Sequence, residues 1–121
     1  MKLFLLLGSL NAFLSVALGA FGAHYLKEKI TADQLAVYHT GVQYHMIHAL
    51  GLILIAILSD KLGHSSLVNA SGWLIFIGII LFSGSLYALS LTGIKFFGPI
   101  TPLGGVSFLV GWVLLAIAAY K

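Results

Sequence analysis

The chain has 121 residues, of which 60% are hydrophobic and 7% charged, and its mean hydropathy is +1.09. Soluble domains carry about 25% charged residues, so this composition excludes an ordinary soluble domain, and with it a dinucleotide-binding fold and a nucleic-acid-binding protein. The formal charge of +3 comes from six scattered lysines against three acidic residues, which mark aqueous boundaries and form no basic patch.

Between the charges run four uncharged stretches, 3–26, 34–59, 62–94 and 96–120. Each exceeds the roughly 20 apolar residues that cross a bilayer as a helix. The chain therefore reads as one all-α transmembrane domain over 1–121, an integral membrane four-helix bundle with antiparallel neighbouring spans near 3–23, 42–59, 71–91 and 102–120. Cysteine is absent, which removes disulfides and thiolate metal sites.

The first segment has the basic start of a secretory signal, but its apolar run of about 20 residues is longer than a signal core and three more spans follow, so a retained helix is expected. At 100° per residue, Gly8, Asn11, Ala12, Ser15, Gly19 and Gly22 fall within an arc of about 120°, and Leu10, Phe13, Leu14 and Phe21 take the other side. Small residues let helix backbones approach closely in lipid, so the glycine stripe should face inward. Asn11 lies on it, either as a ligand contact or, the favoured reading, as an interhelical hydrogen bond.

After Lys27, Glu28 and Lys29, the string Thr31-Ala32-Asp33-Gln34 has the form of a capping box, with Thr31 as N-cap and Gln34 at the third helical position. The helix that starts there either runs on or breaks near Gly41, and enters the hydrocarbon near Val42. A polar turn from Asp60 to Ser66 makes the second and third spans antiparallel neighbours. On the third span Ser83, Tyr87 and Ser90 share one face, with Gly84 and Ala88 as a small-xxx-small pair on the next. Thr101 and Pro102 fit the N-cap and first helical position of the fourth helix, which carries Gly104, Ser107, Gly111 and Ala118 on one stripe and runs to Lys121. Trp73, Trp112 and Tyr120 are candidate interfacial or lipid-facing aromatics.

The densest polar run, residues 38–48, opens the second span. Tyr38, Gly41, Tyr44, His45 and His48 share one arc of its wheel, while His39 and Gln43 point elsewhere. With His24 just after the first helix, three imidazoles would converge at one membrane surface. Polar groups at membrane depth are costly and often functional, and imidazoles can bind metals or haem and can relay protons. A metal needs further ligands, however, and all three acidic residues lie in predicted links, so the favoured reading is interfacial histidines held by hydrogen bonds to neighbouring helices. The candidate ligand or relay set is Asn11, His24, Tyr38, Tyr44, His45, His48, Ser83 and Tyr87. The candidate packing set is Gly8, Gly19, Gly22, Gly84, Gly104 and Gly111. Catalytic motifs such as Gly-x-Ser-x-Gly, His-Glu-x-x-His and the P-loop are missing, and no enzyme activity, metal or cofactor is expected.

Four strings are jointly distinctive: 19–24 (GAFGAH), 40–45 (TGVQYH) with His48, 81–87 (LFSGSLY), and 101–105 (TPLGG) with Gly111-Trp112. Together they resemble a family of small four-helix membrane proteins of unknown function that includes the bacterial YgdD-like and YwdK-like proteins and a eukaryotic transmembrane relative. The likeness covers nearly the whole chain. It implies four membrane helices and no assigned activity. The expected location is a bacterial plasma membrane, with both termini on the same side because the span number is even. Lysines divide three to three between the two faces, and the amino terminus tips the balance towards cytoplasmic termini. Membrane lipid is the expected partner, with a second copy or another membrane protein as further candidates. Two classes of function remain: a non-enzymatic packing or interaction protein, or a His/Tyr-lined site for a small molecule, lipid, metal or proton. A filled core would favour the first and a cavity lined by the polar residues the second.

Overall fold

A computed structural model describes residues 2–62 and 66–120. Parts of the expected turn at 60–66, including His64, and the terminal Lys121 lie outside the described residues. The described residues form four rods long and apolar enough to cross a membrane. The first is α1 (Lys2–His24), extended by a 3₁₀ turn, Leu26–Glu28. The second is α2 (Ala32–Lys61). The third consists of α3 (Ser66–Gly78), a π-helical turn (Ile79–Ser83) and α4 (Gly84–Thr92). After a second 3₁₀ turn, Lys95–Phe97, the fourth is α5 (Ile100–Tyr120).

The helix starts and stops follow local chemistry. The capping box at the head of α2 is formed: Gln34 N donates to Thr31 Oγ1 at 3.1 Å, and Thr31 N donates to Gln34 Oε1 at 3.0 Å. At the end of α4, Gly93 adopts φ +72°, and its N–H closes on Leu89 O at 2.8 Å. That left-handed cap suits glycine because a β-carbon would be strained there. At the head of α5 the expected cap is displaced. The helix begins at Ile100, Thr101 lies inside its first turn, and its hydroxyl pairs with Ser85 Oγ at 2.6 Å. Pro102 is tolerated because first-turn N–H groups have no intrahelical acceptor.

Second-span boundaries differ more. The helix does not break at Gly41; it runs unbroken through 30 residues, about 45 Å at 1.5 Å per residue, so residues 38–48 belong to its middle and not to its mouth. It is also the most buried span, and the first is the least. α2 packs on α1, α3 and α4, while α3 packs along α5. Pairings descend along α1 as they ascend along α2: a β-carbon built on Gly8 would meet Ala49 O and Ile53, one on Gly19 would meet Val42, and one on Gly22 would meet Tyr38. The two helices are therefore antiparallel, as are α3 and α5, where Ser71 Oγ donates to Gly111 O at 2.7 Å and Ser107 Oγ donates to Leu74 O at 2.6 Å.

Small residues and serines lie at these contacts for one reason. Lipid supplies no hydrophobic drive to join helices, so association rests on close van der Waals packing and interhelical hydrogen bonds. Phe4, Leu52, Ile55, Ile75 and Phe108 fill the core that remains, whereas Leu10, Phe13, Leu14 and Phe21 are exposed on the outer face of α1. Gly84 is the exception among the expected packing glycines. Nothing lies within 4 Å of a β-carbon built on it, so it faces outward. Ser83 and Ser85 hold the inner face of that helix instead, through Gly41 O and Thr101. Gly41, on the arc of Tyr38 and His45, packs against Tyr87, and Gly51, Gly72 and Gly78, which the sequence does not single out, take contacts against Trp112, Phe4 and Phe108.

The antiparallel register has a direct check. A β-carbon on Gly19 would lie 3.3 Å from Val42 Cγ1, within reach of disulfide geometry. In this cysteine-free chain the Gly19→Cys/Val42→Cys variant should cross-link under mild oxidant in membranes, and His24→Cys/His48→Cys should not. Efficient linkage of the second pair would show that the register is wrong.

Candidate functional site

α1, α2 and α4 bring Asn11, His45, Tyr87 and Tyr38 together. His45 is 4% exposed, and both of its ring nitrogens are engaged: Nε2 with Asn11 Oδ1 and Nδ1 with Tyr87 OH, each at 2.8 Å. The proton positions follow from the ends of the chain. Asn11 Nδ2 donates to Leu7 O at 2.8 Å, which turns the amide oxygen towards His45. An amide oxygen only accepts, so His45 Nε2 carries the hydrogen, and Nδ1 accepts from the Tyr87 hydroxyl. Tyr38 completes the layer. Its ring centroid lies 5.4 Å from that of Tyr87, and its hydroxyl donates to Leu18 O across the α1 contact.

His48 forms a second centre one turn along α2. Its Nδ1 donates to Tyr44 O at 2.8 Å, and Trp112 Nε1 donates to its Nε2 at 3.0 Å. A carbonyl only accepts and an indole N–H only donates, so His48 is neutral, protonated at Nδ1, the opposite tautomer from His45. Its ring stacks on Phe108 with centroids 3.5 Å apart. Trp112, expected at a membrane interface or facing lipid, is thus half-buried and tied to a histidine.

Both centres lie near the middle of the rods. His45 and His48 flank the midpoint of α2, and Asn11 lies level with them across the antiparallel contact. His24 does not join them. It is the exposed last residue of α1, beyond Gly22, which is level with Tyr38. His48 is ten residues further along α2 than Tyr38, so the two histidines are separated by at least about 15 Å along the axis. The expectation of three imidazoles at one membrane surface is therefore overturned, because α2 runs unbroken from Ala32 and carries His45 and His48 about four turns along it, away from His24. Ser83 is buried, and its hydroxyl donates to Gly41 O at 2.8 Å, a packing bond between α2 and the π turn.

Among the described residues no group of three or more His, Cys, Asp or Glu is placed to hold a metal. The donor set points the same way, since each histidine lone pair already accepts a hydrogen bond. Asn11 also ends the polar chain, because a carboxamide does not pass a proton on as an imidazole does.

Beside His48 lies a groove of about 450 Å³ between α2, the π turn and α5, lined by Tyr44, His48, Phe82, Gly105, Phe108 and Trp112 among others. Tyr44 forms its rim and is 38% exposed. Its ring lies 4.8 Å from that of Phe82, and its hydroxyl has no hydrogen-bond partner among the described residues. Sequence reasoning finds Tyr44 and His48 but not Phe82 or Phe108, which read as ordinary apolar residues, and it takes Trp112 for an interfacial or lipid-facing aromatic. Phe82 is set there by the π turn, and such turns are frequent at functional sites.

The model of the family described as protein of unknown function (DUF423) matches residues 18–105, more than half of the chain. The UPF0382 membrane protein YwdK of Bacillus subtilis (strain 168) is 58% identical over 121 residues, covering 100% of this chain and 98% of the relative. The UPF0382 membrane protein SAB0533 of Staphylococcus aureus (strain bovine RF122 / ET3-1) is 53% identical over 122 aligned positions, with coverage of 100% and 98%, and SSP2132 of Staphylococcus saprophyticus is 52% identical, with 100% and 99%. No solved structure matches. With four membrane-length helices and these full-length relatives, the chain is a multi-pass membrane protein and belongs to the DUF423 family of unknown function.

Proposed function

We propose that this protein is a non-enzymatic membrane protein that acts by binding within the bilayer. The observation that supports this reading is the closure of both histidine centres: each ring nitrogen of His45 and His48 has a partner, which leaves neither a free base nor a free metal-binding lone pair. The polar network then serves as a latch between helices at a depth where unpaired polar groups are costly. We place the protein in the cell membrane with both termini on the cytoplasmic side. Its partners are lipid and a second copy or another membrane protein.

Elemental analysis tests the latch. Protein purified without a histidine tag should be metal-free and colourless, and His45→Asn or His48→Asn should leave that unchanged. Near-stoichiometric zinc, copper or iron that either substitution removes would overturn the reading.

A second reading, a small-molecule site lined by histidine and tyrosine, is favoured by one observation. Tyr44 and His48 line an open groove in which the Tyr44 hydroxyl has no hydrogen-bond partner among the described residues.

A further inference from the structure

We infer that the groove beside His48 binds an uncharged, lipid-soluble molecule bearing a flat carbonyl-substituted ring, the chemistry of an isoprenoid quinone. The inference rests on the second reading above and supplies its ligand class. Three features carry it.

The first is depth. Tyr44 lies about 4 Å from the midpoint of α2 along its axis. Phosphate and glycerol ester groups of phospholipids sit at the edge of a hydrocarbon core about 30 Å thick, some 15 Å away. An acceptor that reaches the Tyr44 hydroxyl there belongs to a molecule that dissolves whole in hydrocarbon.

The second is hydrogen-bond supply. The His48 Nδ1–H and the Trp112 N–H are both committed. Tyr44 OH is then the one available donor on the groove wall among the described residues, and an unpaired hydroxyl in hydrocarbon is unfavourable by several kcal/mol on transfer scales. A ligand with a single well-placed carbonyl satisfies it.

The third is shape. The rings of Tyr44, Phe82, Phe108 and Trp112 line the groove together with aliphatic Pro102, Val106 and Leu109, and the cavity of about 450 Å³ is within the range of small-molecule sites. Aromatic walls favour a flat ring through offset and edge contacts, and the open side lets an isoprenoid tail leave into lipid. The proposal concerns binding alone, with no electron transfer.

The test uses tryptophan fluorescence. The chain has two tryptophans, and Trp73→Phe leaves Trp112, on the groove wall, as the only emitter. Full-length protein in nanodiscs would be titrated with a ubiquinone analogue carrying one isoprene unit. Quenching should saturate. Tyr44→Phe should raise the half-saturation concentration about tenfold, the effect of one hydrogen bond, with the melting temperature unchanged because that hydroxyl has no partner among the described residues. Gly105→Leu should abolish saturation. Its β-carbon has room, with Phe82 ring atoms 3.9 and 4.0 Å away, so the variant should fold and fill the groove.

Quenching that rises linearly and equally in wild type and Gly105→Leu, or a Tyr44→Phe titration identical to wild type, would overturn the proposal. Saturable quenching by brominated phosphatidylcholine that the quinone does not displace would overturn the ring-carbonyl class while the groove remains a lipid site. Failure of both probes to saturate would remove the second reading itself. A dimer that dissociates on Tyr44→Phe or Gly105→Leu would make a second copy the occupant, and the proposal would fall.

Discussion

Gly104→Ala should be the most disruptive small substitution in the molecule. A β-carbon at Gly104 would lie 2.3 Å from Phe82 N, 2.7 Å from Phe82 Cα and 2.7 Å from Phe82 Cβ. Two of these three atoms are backbone, so no rotamer change relieves the clash, and α5 must move away from the π turn. The Ser85–Thr101 and Ser107–Leu74 hydrogen bonds cross the same contact and would lengthen with it. Overpacking of this kind destabilises by about 1–3 kcal/mol, and with fixed backbone on one side the upper end is expected, a fall in melting temperature of about 10 °C. Gly84→Ala is the matched control. With open space around it, alanine should be neutral or stabilise by up to about 1 kcal/mol through helix propensity. Thermal unfolding of the two variants in one detergent decides the matter, and equal behaviour would mean that α5 and the third rod are not in backbone contact.

His45→Leu should be the most disruptive change in the polar network. It removes one side chain and strands two partners, Asn11 Oδ1 on α1 and Tyr87 OH on α4. A buried polar group left unpaired costs about 1–3 kcal/mol, but chains unfolded within a membrane also find partners, so a net loss of about 2 kcal/mol is expected. Adding Asn11→Leu and Tyr87→Phe should recover part of it, because an apolar layer of similar shape leaves nothing unsatisfied. The coupling is readable from equilibrium unfolding of the single, double and triple variants. Strictly additive losses would show that Asn11, His45 and Tyr87 do not act as one network.

Polar groups in the middle of a membrane-length helix explain how far the candidate site was legible. Tyr38, Tyr44, His45 and His48 stand out in sequence because they interrupt an apolar run, and the helical period puts them on one arc, of which Tyr38, His45 and His48 are buried and Tyr44 is exposed. Their depth was not legible. It depends on whether the helix that starts at the Thr31 capping box runs on through Gly41, which the sequence leaves open. Because α2 runs on unbroken, His24 and His48 separate, and the cluster becomes two centres with different partners. Their tautomers depend on Asn11, Tyr87 and Trp112, which are 34, 42 and 64 residues away in the chain.

By itself the sequence determined the class and the topology: four stretches too long and too apolar for water, with charges only between them or at their ends, must become spanning helices, since lipid leaves backbone groups no other partner. It also determined which face of α1 turns inward, because glycine and serine are spaced at the helical period opposite large apolar residues. Only the tertiary structure decided which small residues touch backbone. Gly84 and Gly104 look alike in sequence, yet one faces open space and the other Phe82. The structure also decided that a π turn presents Phe82 to α5 and that a groove lies beside His48. Period and composition describe one helix at a time, whereas a groove is the space left between helices, set by how closely their backbones approach.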